Sequence, residues 1–399
     1  MKIVCAYSGG LDTSCMIPWL IENYDAEVVT YTGDLGQGGA DLDAIRNKAL
    51  QTGASHAVVD ALQSRFVSEF VGPALQAGAL YEGIYPLHTA LGRPLLAQRL
   101  CEVAEKVGAD AIAHGCTAKG NDQVRFEVAA QSLSPHLKII APLREWELLT
   151  REDEIDYAAS RGIEVEVSRE KPYSVDENLW GCAIECGEME DLWTEPPSDV
   201  WRMTVDPTDA PPGFSEISLT FHRGLPVALD GEVLDGVSLI SRLNAIAGKY
   251  GIGRMDMVEN RVVGLKSREV YEGPAATVLH IAHRELERVV LDRATSAYKD
   301  KVSLDFARLI YDGLWFSPLR ESLQAFVRHT QQPMSGEIRL KLSAGLAQVT
   351  GRRSQYSLYD EGLATYSDGD TFNRRSALGF LQLYGLPYHT VGRIRRRED

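Results

Sequence analysis

The chain has no apolar run long enough to cross a bilayer, so no membrane partner is expected. Its N-terminus lacks a signal-peptide pattern, because Gly9, Gly10 and Asp12 interrupt the first apolar stretch after a few residues. Cysteine is scarce, six in 399 residues, and has no framework spacing, which points to reduced thiols and a cytoplasmic location. Positive charge is also short. Lys and Arg number 41 against 56 Asp and Glu, a net charge of −15. That balance disfavours a nucleic-acid partner held by bulk electrostatics, although the tail Arg393–Arg397 is locally basic and expected to be exposed. No internal repeat or low-complexity segment interrupts the chain. What remains has the hydrophobic and charged fractions of a globular protein, with length enough for two or three domains.

The first apolar run, Ile3–Tyr7, reads as a buried strand, and a helical stretch runs on to about Asn23. Between them stands Ser8-Gly9-Gly10-Leu11-Asp12-Thr13-Ser14. Two glycines let the backbone turn tightly and approach a ligand. Asp12, Thr13 and Ser14 are able to cap the helix, and a helix N-terminus presented this way is an anion site. The Walker pattern requires a lysine that this loop lacks. Its S-G-G-x-D-[ST]-[ST] form resembles the pyrophosphate loop of ligases that cleave ATP to AMP and PPi. Pro18 falls inside the helix and predicts a kink or an imperfect first turn.

Strand and helix patterns then alternate. Glu27–Tyr31 is a strand ending in Gly33-Asp34, and Leu42–Thr52 is helical up to Gly53. His56–Val59, Ala109–His114 and Lys138–Leu143 read as further strands; Leu62–Val71 and Leu95–Val107 read as helices. This order predicts an α/β, doubly wound parallel sheet with ligands at the carboxyl ends of its strands. From about Ile163 the pattern changes. The polar stretch Ser168–Tyr173 reads as a boundary. Beyond it, hairpins over 217–229 and 338–351 and helices over 237–249, 279–291, 306–313 and 321–330 predict an α+β domain.

A second chemical segment, His114-Gly115-Cys116-Thr117-Ala118-Lys119-Gly120-Asn121-Asp122-Gln123-Val124-Arg125, follows a strand and leads into a helix. Asn121 or Asp122 is the expected N-cap. Asn121 and Arg125 share a helix face, and the Arg125 fork suits a carboxylate. Thr117 and Lys119 suit another anionic group. In a third segment, Ser174-Val175-Asp176-Glu177-Asn178-Leu179, the Ser174/Glu177 spacing alone reads as a capping box. The fourth, Gly253–Arg261 followed by Lys266–Glu272, reads alone as a charged and exposed strand-loop, and spacing does not single out Glu259 or Tyr271. Cys182 and Cys186 lack the further ligands a zinc site needs, and His280 and His283 read as surface or packing residues. No residue is assigned as a metal ligand.

Taken together, the four segments resemble the argininosuccinate synthase family, in order and spacing along nearly the whole chain, more weakly over the last fifty or so residues. The resemblance implies joining citrulline to aspartate with ATP, giving argininosuccinate, AMP and PPi, with magnesium as cofactor and a homotetramer as the assembly. It implies a nucleotide-binding domain over 1–168, a synthetase and multimerisation domain over 169–370 and a helical tail over 371–399. Position by position, Ala6, Tyr7, Ser8, Gly9, Gly10, Leu11, Asp12, Thr13 and Ser14 would hold ATP, with Gly33 and Gly115 against the nucleotide. Thr117, Asn121 and Asp122 would bind aspartate. Tyr85, Asn121, Arg125, Ser174, Glu259 and Tyr271 would bind citrulline.

The implied chemistry is adenylation of a ureido oxygen, then attack by the aspartate amine. It needs positioning and electrostatic support and no nucleophilic side chain. Asp12, Asp122 and Arg125 are the catalytic candidates, and no general base is assigned. The chain departs from the family's common pattern at His88, Ala118, Glu269 and Ala276, where glycine is usual, and at Ala183, where serine is usual. These departures gather on the acceptor side. They make a paralogue acting on another ureido or amide compound the enzymatic alternative. A tRNA-modifying enzyme with the same loop is a lesser alternative, opposed by the acidic balance.

Overall fold

The computed structural model describes residues 1–39, 41–117, 120–164 and 173–397. The expected boundary near residue 168, together with Ala118 and Lys119, lies outside the described residues. The first part of the chain comprises β1 (Lys2–Ala6), α1 (Leu11–Tyr24), β2 (Glu27–Asp34), α2 (Leu42–Gln51), β3 (His56–Ala61), α3 (Gln63–Phe66), α4 (Gly72–Ala77), α5 (His88–Val107), β4 (Ala111–Ala113), α6 (Asp122–Leu133), β5 (Lys138–Ile140) and α7 (Arg151–Ser160). Its strands form one parallel sheet in the order β3-β2-β1-β4-β5, the doubly wound arrangement expected from the βα alternation.

Both faces of that sheet are covered because its strands are apolar on both sides. Ile3, Cys5 and Tyr7 pack with Leu11, Cys15 and Trp146 on one face. Val4, one residue out of phase, packs with Leu91, Leu95 and Ile112 on the other. Helix α1 is assigned continuously through Pro18, which is buried, and its first turn is helical. Tight packing of Cys15, Met16, Ile17 and Leu20 around it favours the helix despite the lost N–H.

The second part comprises β6 (Ser174–Asn178), β7 (Gly181–Glu185), β8 (Ser215–His222), β9 (Leu225–Leu229), β10 (Glu232–Val233), α8 (Gly236–Gly248), β11 (Arg254–Asn260), β12 (Lys266–Glu272), α9 (Pro274–Val290), α10 (Arg293–Tyr311), α11 (Pro318–Thr330), β13 (Gly336–Ser343) and β14 (Leu346–Arg353). The two expected hairpins, β8–β9 and β13–β14, join edge to edge through β8 and β13 in one antiparallel sheet. A second antiparallel sheet has the order β11-β12-β7-β6. It corrects one expectation and sharpens another. Ser174 and Glu177 lie in a strand and form no capping box. The charged segment over 254–272 is a strand-loop-strand hairpin, as expected, with its loop exposed over 262–265, but Glu259 and Tyr271 within it are buried, 2% and 4% exposed. Extended pairing with β7 and β12 satisfies the backbone there, which a helix cap would otherwise have done.

This smaller sheet docks on the start of α5. Asn178 Nδ2 donates to the His88 carbonyl at 2.9 Å, Trp180 Nε1 to the Pro86 carbonyl at 2.9 Å, and Leu179 N to Leu35 O at 2.9 Å. His280 and His283 lie on the well-packed helix α9; His283 is 1% exposed and its Nε2 lies 2.9 Å from Gln331 Oε1. Residues 357–399 form a separate compact unit containing α12 (Glu361–Ala364) and α13 (Arg374–Arg395), which ends in exposed basic residues.

Candidate active site

The loop after β1 reaches α1 through Gly9 and Gly10. Gly9 takes φ +81, where a Cβ would also lie 3.3 Å from Ile45 Cγ1. Gly10 is the N-cap, and no side chain caps the helix. Asp12, Thr13 and Ser14 do not cap it because they lie within its first turn, and the hydroxyls find partners nearby: Ser8 Oγ and Thr13 Oγ1 lie 3.1 Å apart, and Ser14 Oγ lies 3.2 Å from the Tyr7 hydroxyl. The first N–H groups of α1 stay uncapped, the condition an anion requires. From α2, Lys48 Nζ donates to Gly9 O at 2.7 Å and pins the turn.

A cavity of about 750 Å³ opens beside this loop and the ends of β1, β2 and β4. The loop contributes Ala6, Tyr7, Ser8, Gly10, Leu11, Asp12 and Thr13 to its wall. Gly33 and Gly115 line it too, and their lack of a side chain also serves packing: a Cβ would meet Leu96 Cδ2 at 2.5 Å or Met16 Sδ at 3.0 Å. Thr117, Asn121, Asp122 and Arg125 line it from β4 and α6; Tyr85, Ser174, Glu259 and Tyr271 close the far side. Of the residues named from the motifs, Gly9 and Ser14 do not line it, the first holding the turn and the second buried against Tyr7.

Asp122 sits at the centre of the charge arrangement. Its Oδ1 accepts from Arg125 Nη1 at 2.9 Å and its Oδ2 from Arg93 Nε at 2.8 Å. Burial pushes the Asp122 carboxyl up, but the two guanidiniums outweigh it and hold the group below its ordinary value. Arg93 also pairs with Asp176, whose carboxyl burial pushes upward despite that partner. At the N-cap position, the Asn121 side chain does not cap α6. It donates to the Tyr311 hydroxyl at 2.8 Å and accepts from Val262 N at 2.9 Å, bonds that stronger tertiary partners supply.

Tyr311 continues the chain of bonds. Its hydroxyl donates to Glu259 Oε1, and the Tyr271 hydroxyl donates to Glu259 Oε2 at 2.7 Å. Burial raises the Glu259 carboxyl while these two phenols act against the rise. Arg125 Nε donates to the Tyr311 carbonyl at 3.1 Å, and its guanidinium lies 4.9 Å from the Tyr311 ring centre. Tyr85 stacks on Tyr271 with ring centres 3.9 Å apart and 10° between planes.

Sequence reasoning missed several residues here. Arg93, Thr89, Asp176 and Arg261 line the same cavity, as does Glu269, which the sequence flagged only as a departure from the family pattern, and Tyr311 links three of its residues. Asp176 and Arg261 lie inside quoted motifs, which was the available signal. Arg93 and Tyr311 carry none, since each arrives from the middle or end of a long helix. The Glu269 carboxyl is raised to about 8, chiefly by burial and then by Glu185, with Arg261 opposing. Burial pushes the Cys116 thiol up to about 12, which keeps it protonated and unsuited to nucleophilic attack.

Comparison with known proteins matches residues 2–164 to the arginosuccinate synthase N-terminal HUP domain and residues 173–391 to the arginosuccinate synthase C-terminal domain. The argininosuccinate synthase of Pelodictyon phaeoclathratiforme is 53% identical over 393 residues, 98% of each chain. That of Chlorobium chlorochromatii is 54% identical over 99% of each chain, and that of Chlorobaculum tepidum 52% identical over 100% of this chain and 99% of its own.

Proposed function

The chain belongs to the argininosuccinate synthase family, and we propose that the cavity described above performs that family's ligation with the residue roles that follow. The reaction joins citrulline to aspartate and splits ATP to AMP and PPi. The observation that carries the reading is convergence: the loop over 6–14, the Asp122–Arg125 pair and the Glu259–Tyr271 pair share one wall-to-wall cavity. The paralogue with another acceptor and the tRNA-modifying enzyme are not favoured. Identity of 52–54% to three argininosuccinate synthases spans the whole chain, the acceptor side included.

The uncapped N–H groups of α1 and the loop hydroxyls hold the phosphates of ATP, with Gly33 and Gly115 beside the nucleotide. Tyr85, Ser174, Glu259 and Tyr271 hold citrulline, with Asn121 and Arg125 reaching it from α6. Thr117, Asn121 and Asp122 hold aspartate, its ammonium facing the Asp122 carboxylate. The ureido oxygen attacks the α-phosphorus and PPi leaves; the aspartate ammonium then gives up a proton to solvent, the free amine attacks the adenylated carbon, and the bond to AMP breaks as AMP leaves. Holding these partners in line supplies much of the acceleration. No covalent link to the enzyme is needed.

Magnesium fits the donor set. Asp12 brings a carboxylate to the phosphate end of the cavity, and a neighbouring carboxyl, Glu154, is raised to about 8 by burial and by Asp12 itself. Among the described residues no group of three or more His, Cys, Asp or Glu could hold a metal alone, so phosphate oxygens would complete the shell around Asp12, as is usual for this ion. Bound there, magnesium would neutralise charge on the phosphates.

The domain division at 168 and 370, a cytoplasmic location and a homotetramer belong to the same reading. Exposed Leu378, Phe380, Leu381, Leu383 and Tyr384 on α13 support assembly with further copies, and unpaired cysteines throughout support a reducing compartment. The test is PPi release from ATP and aspartate across citrulline and other ureido compounds. Citrulline should be the best acceptor, and Asp12→Asn or Arg125→Ala should lower release by about a hundredfold or more. A better acceptor, or full activity in both variants, would overturn these assignments.

A further inference from the structure

His88 opens α5 directly after Leu87, a buried non-glycine residue at φ 67 and ψ 32. Such left-handed backbone is strained and persists only where its surroundings impose it. The His88 side chain is 0% exposed, and among the described residues neither ring nitrogen has a hydrogen-bond partner. A neutral imidazole carries a donor and an acceptor, so burying both unpaired works against stability. Burial holds the ring's pKa down at about 3, so it stays neutral at working pH.

The contacts of the ring account for its place. Its centre lies 5.2 Å from that of Tyr85 and 5.8 Å from that of Tyr271, the stacked pair in the cavity wall. Gly181 and Gly273 also lie against it. A Cβ on Gly181 would stand 2.3 Å from His88 Cδ2, and one on Gly273 would stand 3.0 Å from His88 Cε1 and Nε2. The imidazole thus fills a notch that two glycines leave open, next to the tyrosine pair. It does not itself line the cavity.

We propose that His88 is a positioning and specificity-determining residue, a wedge that holds the Tyr85–Tyr271 pair forward against Glu259 and so limits the length of the ureido amino acid the cavity accepts. This rests on the assignment of Tyr85, Glu259 and Tyr271 to citrulline. Without the wedge the two rings can settle back into the notch, the bond from Tyr271 to Glu259 loosens, and the cavity deepens by about the width of a methylene.

The experiment is steady-state kinetics on the full-length enzyme with citrulline and with its homologue one methylene longer, for wild type, His88→Ala, His88→Gln, Gly273→Ala and the His88→Ala/Gly273→Ala double variant. His88→Ala should raise the KM for citrulline about tenfold and lower the preference for citrulline over the longer homologue by a similar factor. The KM values for ATP and aspartate should stay within about twofold, which a general loss of folding would not produce. His88→Gln, which keeps a planar side chain of similar reach, should retain most of the preference. Gly273→Ala should impair citrulline use in wild type, where the methyl meets the ring, and partly restore it in the His88→Ala background, where the methyl refills the notch. Unchanged preference in His88→Ala, equal changes in all three KM values, or additive effects of the two substitutions would overturn the wedge. A wild-type enzyme that releases no citrulline-dependent PPi would instead overturn the functional reading beneath it.

Discussion

Arg93 Nε donates to Asp122 Oδ2 at 2.8 Å, joining the first half of α5 to the start of α6 in the cavity wall. The same guanidinium serves Asp176 on β6. One side chain therefore holds two carboxylates that would otherwise repel each other, and fixes Asp122 for whatever it binds.

Arg93→Ala leaves both carboxylates without that partner. Removing one member of a fully buried ion pair costs about 3–5 kcal/mol. The Arg93 side chain is 20% exposed, so screening reduces the expected loss to about 2 kcal/mol. The KM for aspartate should rise about tenfold or more, as expected for a displaced binding carboxylate. Denaturant unfolding and kinetics with varied aspartate check the two effects separately.

Glu259→Gln tests the acceptor end. The carboxylate now accepts from the hydroxyls of both Tyr271 and Tyr311. An amide keeps one acceptor and sets an N–H against the other phenol. The KM for citrulline should rise about tenfold to a hundredfold, with the KM for ATP unchanged. Initial-rate kinetics with each substrate varied in turn decides it.

One part of the pH dependence of stability follows from Glu154. Its folded carboxyl titrates at about 8, whereas an unfolded glutamate titrates near 4.3. Its contribution is therefore fully present below the unfolded value and is lost as pH rises through the folded one. Glu154→Gln removes that loss. Its melting temperature should exceed that of wild type at pH 8 and approach it at pH 5. Thermal unfolding across that range measures this, and equal slopes for both proteins would contradict the expectation.

Lys299 is a buried cation away from the cavity, 1% exposed, with Nζ 2.6 Å from Glu287 Oε1 and donating to Ala77 O at 3.0 Å. The contact with Glu287 is ionic: the distance is short, but the approach is off the angle of a hydrogen bond. Among the described residues, Lys299→Met leaves Glu287 with only Arg284 and His283, and should cost about 3 kcal/mol. Adding Glu287→Gln should recover part of it. Urea unfolding of the two variants gives both values.

By itself the sequence determined the parallel α/β sheet, because strands covered on both faces are written as short continuous apolar runs and their helices as periodic ones. It determined the phosphate loop as well, since two glycines and an exposed helix start are local requirements. It also named Glu259 and Tyr271, but only through motif resemblance. The tertiary structure decided the rest. The pairing of β11, β12, β7 and β6 is not legible in one dimension because key charges in it are satisfied from elsewhere in the chain: Arg261 by Glu185 on β7, and Glu259 by Tyr311 at the end of α10. Arg93 and His88 likewise gain meaning only from what stands beside them. A helical arginine becomes a clamp when carboxylates from α6 and β6 meet it, and an imidazole becomes a wedge when two glycines make room. Such pairings depend on long-range contacts, and no local spacing encodes them.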